Sequence, residues 1–265
     1  MIYQLFIFKK PNYNFIIFSY LYIYMKSYRP ILSKLDLPEY KYESKYKKVP
    51  KNIKYGNVTL SYNKFLHMKN PIFDWKEFLR KIPSPDSNNS NIVKSEIKYL
   101  YDINKNLTKR QRKQVQLFDR PSHLSFLNLL KANGIDEDKH MHDLINLELA
   151  HIIIKLKVYF QRPRAYQLAY YYGIDFTPME SYSAWTPSYP SGHGFQGTFY
   201  AKYYSWKYPH LKKKLMRFGK EYADSRIYGG YHYPSDNLVS NKIVDYFFKK
   251  KYHKNLEKNI KQKYY

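Results

Sequence analysis

Three short motifs between Lys155 and Asp236 leave this chain little freedom in what it can become. The first is Lys155, six residues, then Arg162-Pro163. The second is Pro190-Ser191-Gly192-His193. The third is Ser225-Arg226, five residues, His232, three residues, Asp236. Together they hold three cations that are hard to neutralise (Lys155, Arg162, Arg226), a Ser-Gly turn with free backbone N–H groups, two imidazoles and a carboxylate. Fixed positive charge and N–H donors match the equatorial oxygens of a phosphoryl group in flight. Arginine adds planar, bidentate donation that lysine cannot give. The inventory is one for holding a phosphate and attacking it.

Elementary helix geometry gives each motif a local form. Lys155 and Arg162 are two turns apart on a helix and leave one face, and Pro163 ends or bends that helix at the arginine. Ser191 can cap a helix over 193–208. Gly192 there permits close backbone approach, which makes the helix start an anion site. Gly229-Gly230 stops the preceding helix near Tyr228. Pro234 suits the first turn of the next helix, with Asp236 in reach of the His232 ring. Alone, each motif reads equally as a solvated face, a capped turn or a local ion pair. Their agreement in identity, order and separation is what carries the functional reading.

In that order and spacing the motifs resemble the type 2 phosphatidic acid phosphatase superfamily, which also contains the bacterial class A non-specific acid phosphatases and the vanadium haloperoxidases. The intervening gaps, 26 residues (164–189) and 31 residues (194–224), are similar as well. The resemblance covers roughly residues 90–250 and is nearest to the acid phosphatases. It implies that His232 is a nucleophile forming a phosphohistidine, that Asp236 orients its ring, and that His193 protonates the leaving oxygen. It implies further that Lys155, Arg162, Ser191, Gly192 and Arg226 grip the phosphate. The phosphatase branch needs no metal or other cofactor. Vanadate is expected there as an inhibitor, and as the cofactor if the chain is a haloperoxidase.

Composition sets the wider limits. The chain has 265 residues, with 46 Lys and Arg against 21 Asp and Glu, a formal charge of +25. That excess draws phosphorylated small molecules and equally permits contact with nucleic acid or an anionic membrane surface. The 32 tyrosines fit an AT-rich coding sequence and argue for no partner. No cysteine is present, which excludes a thiol nucleophile and thiolate metal sites.

The expected organisation is a segment 1–25 that is a signal, an anchor or a stretch upstream of a start at Met25; an N-terminal arm and linker, 26–90; a catalytic domain, 91–250; and a solvated basic tail, 251–265. Helices are predicted near 75–82, 92–104, 108–118, 122–133 and 137–161, and after the second and third motifs. No strand alternation appears, so the expected class is an all-α helical bundle. The Asp138, His140, His142, Asp143 cluster lacks a shared helical face and reads as a solvated helix start; His151 reads as a buried structural histidine. Aromatics in 164–189 are expected to wall the pocket. With mean hydropathy −0.69 and no second long apolar run, both a cytoplasmic chain and one exported or anchored through residues 1–25 stay open, as does oligomeric state. The function expected is a phosphomonoesterase. The alternatives are a vanadium-dependent haloperoxidase and a basic nucleic-acid or anionic-lipid binding protein without turnover.

Overall fold

A computed structural model describes residues 49–56, 63–119 and 122–265. The segment expected as signal or anchor, and the rest of the arm to residue 48, lie outside the described residues. Among those described, helices and turns account for all regular structure and no strand occurs.

The helices are α1 (Asn63–Leu66), α2 (Trp75–Leu79), α3 (Asn91–Lys105), α4 (Lys109–Phe118), α5 (Ser122–Lys131), α6 (Lys139–Phe160), α7 (Ala165–Ala169), α8 (Gly192–Lys207), α9 (Lys212–Tyr228), α10 (Pro234–Lys249) and α11 (Leu256–Tyr264). Their starts follow from capping residues. Ser90 accepts from Val93 N–H, Thr108 and Gln111 form a reciprocal box, Asp138 accepts from His140 N–H and Ser191 from Gly194 N–H, each satisfying donors that a helix start leaves unpaired.

Helix α6 buries residues on nearly every side, among them Leu144, Leu149, Ile152, Ile153 and Leu156, so it runs through the core rather than over it. Its neighbour α8 contributes Phe195, Phe199, Tyr200, Tyr203 and Tyr204, all buried. The core is strongly aromatic, with edge-to-face pairs such as Phe126 with Phe218 and Phe73 with Phe247, an arrangement favoured by the ring quadrupoles. Helices α8 and α9 touch backbone to backbone: a Cβ on Gly219 would stand 2.6 Å from the Gly197 carbonyl oxygen and 2.6 Å from Ala201 Cβ. Among the described residues no helix is long and apolar enough to cross a membrane.

Two expectations about the periphery are corrected. The C-terminal segment is no solvated tail: α11 packs on α6 through fully buried Leu256 and Ile260. Lys263 and Tyr264 there donate to the buried Glu148 of α6. Residues 83–90 form a largely exposed loop, tied down where Asn88 donates to the carbonyls of Lys51 and Ile53 and Pro83 accepts from Tyr189. The start of α6 is solvated only in part. His142 is fully buried between Glu137 and Tyr204, and Asp143 pairs with His123 and Lys139. His151 is buried, its Nδ1 2.6 Å from the Phe65 carbonyl.

Candidate active site

The second and third motifs meet at the starts of α8 and α10 and the end of α9. Ser191, fully buried, caps α8 by accepting from Gly194 N–H at 3.0 Å. Its own N–H donates to the Asp236 carbonyl, joining the α8 start to the α10 start. Gly192 lies beside the end of Lys157, whose Cε would be 3.8 Å from a Cβ placed there. A lysine, a helix start and a glycine with open backbone thus share one spot, the elements of a phosphate cradle.

His232 stands at the centre of the site. Its Nδ1 is 3.1 Å from Asp236 Oδ2. Asp236 is ionised and can only accept, so Nδ1 carries the hydrogen and Nε2 the lone pair. Nε2 faces the guanidinium of Arg164, with NH1 at 3.2 Å. Arg164, itself fully buried, is aimed by the carbonyls of Thr186 and Tyr231. Burial, then the charges of Arg164 and Lys157, push the His232 imidazole well below its ordinary pKa despite Asp236. Burial would raise the Asp236 carboxyl, but Arg162, His232 and Ser188 outweigh it and hold Asp236 far below the usual carboxylate range.

Across the cradle, His193 stacks on Tyr222 with ring centroids 5.3 Å apart. Burial, followed by the charges of Arg226, His232, Lys157 and Arg164, keeps it neutral to well below its usual value. Lys157 is likewise depressed, by burial and then by Arg164. These positive or protonatable groups repel one another, and a bound dianion would relieve all of them at once.

The first motif arrives in a different register. Lys155 is half-buried and its charge acts at His151, whereas the lysine felt by both active-site histidines is Lys157. Residues two apart on a helix diverge by more than half a turn, so α6 cannot present both. Arg162 lies on the far side of Asp236, donating to Oδ1 at 2.6 Å, and Arg164 instead reaches His232. Lys157 and Arg164 keep the same six-residue interval that Lys155 and Arg162 have, with Ala165 in place of the proline. Pro163 had favoured the earlier pair. The overlapping second match was the signal that would have found this one.

A family model described as the PAP2 superfamily matches residues 144–243, the stretch from α6 into α10 that carries every side chain named at this site. Over these residues the chain is similar to the PAP2 superfamily. Its members are generally phosphatases. No curated protein matches the chain.

The third-motif residue Arg226 is fully buried on α9 over the face of Tyr231. It is held by Asp119 Oδ1 at 2.9 Å and Ser183 Oγ at 3.0 Å. The same carboxylate accepts from Ser181 Oγ, Ser183 Oγ and Tyr182 N–H, so Asp119, from outside the matched segment, clamps the 181–183 loop to Arg226. Among the described residues, Arg226 Nε and His193 Nε2 are buried without a hydrogen-bond partner. Buried polar atoms are rarely left so, and a phosphate held between them would serve both.

Proposed function

We propose that this protein is a phosphomonoesterase, similar to the bacterial class A acid phosphatases, that works through a phosphohistidine at His232. The observation carrying this reading is the division of the His232 ring: Nδ1 committed to Asp236, Nε2 facing the Arg164 guanidinium. That is a nucleophile with its lone pair directed at an anion-binding group.

In the first step Nε2 of neutral His232 attacks phosphorus and the ester P–O bond breaks. Lys157, Arg164, Arg226 and the Gly192 N–H at the start of α8 take up charge on the equatorial oxygens. The bound phosphate offsets the surrounding cations and restores proton affinity to His193, which protonates the leaving oxygen. In the second step water attacks phosphorus and gives a proton to His193. The N–P bond breaks, and phosphate leaves with His232 neutral again. Roles for Arg164 and Lys157 replace those expected for Arg162 and Lys155.

The test is hydrolysis of an aryl phosphate by the wild-type chain and its His232→Ala variant, with and without vanadate. Turnover and acid-labile phosphoenzyme should vanish in the variant, a loss of roughly 10³-fold or more, and vanadate should inhibit the wild type. Undiminished turnover by the variant would overturn the reading. Peroxide-dependent bromination on adding vanadate would replace it with the haloperoxidase.

A further inference from the structure

The two oxygens of Asp236 have divided tasks. Oδ2 takes His232 Nδ1, Tyr233 N–H and Ser188 Oγ. Oδ1 takes Arg162. Arg162 is itself fixed on three sides: its guanidinium lies 3.8 Å over the Tyr233 ring, NH2 is 3.1 Å from Glu96 Oε2, and NH1 is 2.8 Å from Ser235 Oγ. Glu96 comes from α3, outside the PAP2 match. It also accepts from Ser235 N–H at 2.7 Å and Ser235 Oγ at 2.9 Å. One carboxylate therefore holds both the arginine and the first turn of the helix that carries Asp236, where a helix dipole favours negative charge.

We propose that Glu96 and Arg162 are a positioning pair for the nucleophile, acting on His232 through Asp236. Neither touches the reacting phosphate. Arg162 offsets part of the Asp236 charge as felt by His232, which keeps the ring neutral and its lone pair available. Glu96 fixes the guanidinium and tempers its charge in the opposite sense. The other groups facing the dyad are Arg164, Lys157 and His193 around the ring, with Lys157 also in range of Asp236. All of them remain in the variants below. The inference rests on His232 being the nucleophile.

The experiment uses the full chain with Arg162→Met, Arg162→Lys and Glu96→Gln. It reads the pH dependence of kcat/KM on an aryl phosphate, the inhibition constant of inorganic phosphate, and the tautomer and titration of His232 by imidazole ¹⁵N NMR. Arg162→Met should raise the His232 pKa and the acid limb together by about one unit, so that kcat/KM on the acid side of that limb falls about tenfold, the factor that one unit carries. Phosphate inhibition should stay within about twofold, because no direct phosphate contact is removed. Arg162→Lys should fall between Met and wild type, since it keeps charge and loses the fork. Glu96→Gln should move the titration the other way, downward. If Arg162→Met or Arg162→Lys weakens phosphate inhibition and leaves the His232 titration in place, Arg162 is a phosphate ligand and the inference is overturned. An unchanged titration in Glu96→Gln removes Glu96 from it. The NMR reading needs no turnover, so a wild type that hydrolyses nothing would sink the phosphatase reading separately.

Discussion

Arg164 NH1 lies 3.2 Å from His232 Nε2, on the side of the ring opposite Asp236. The imidazole is thus bracketed by an acceptor that fixes its hydrogen and a cation that, on the proposed mechanism, is shared with the incoming phosphate. Arg164, an invariably charged donor, cannot deprotonate the ring and can only orient an anion toward it.

The register of the first motif gives a direct comparison. Lys157→Ala should lower kcat/KM on an aryl phosphate by about 10²-fold or more, the usual effect of deleting one preorganised donor to a developing anion. Lys155→Ala should stay within about twofold, as for substitutions away from special contacts. Steady-state kinetics of the two purified variants, with circular dichroism to confirm folding, decide it. The reverse ranking would restore the Lys155 and Arg162 pair to the phosphate.

The histidine environments fix the sign of the pH profile. His232 must be neutral to attack and its pKa is depressed, so kcat/KM should persist below the ordinary histidine value of about 6.5 and fall only as pH drops through the lowered one. His193 is depressed too, so the proton for the leaving group enters with the substrate. The alkaline limb should then track the second ionisation of the phosphate ester, near pH 6, and move with esters of different acidity. A limb that stays fixed across such a series would assign the proton to the free enzyme instead.

Gly219→Ala tests the contact between α8 and α9. The new methyl would meet the Gly197 carbonyl oxygen and Ala201 Cβ, each at 2.6 Å, and the first is backbone that cannot turn aside. Urea unfolding should show a loss of about 1–3 kcal/mol, typical of overpacking. Adding Ala201→Gly should leave most of that loss in place. Full rescue would mean that only the side chain was in the way.

The sequence exposed the helical architecture because the Ser191 cap and the Gly229-Gly230 stop are local signals, read within a few residues. The second and third motifs were legible for the same reason: His232 and Asp236 are four apart on one short segment, and Ser191 caps the helix it precedes. Glu96 and Asp119 were not legible. Their partners stand 66 and 107 residues away, and nothing near either residue signals those partners. The C-terminal helix was hidden differently: its lysines outweighed Leu256 and Ile260, although the spacing of those two already places them on one face.

The bare meeting of α8 and α9 at Gly197 and Gly219 has a wider consequence. One helix begins with Ser191 and His193 and the other ends with Ser225 and Arg226, so two of the three motifs ride on a single jaw whose gape is set by main chain. The 181–183 loop, which Asp119 fastens to Arg226, is tied to the same jaw, so that a hydroxyl lost there would be felt at the Arg226 guanidinium.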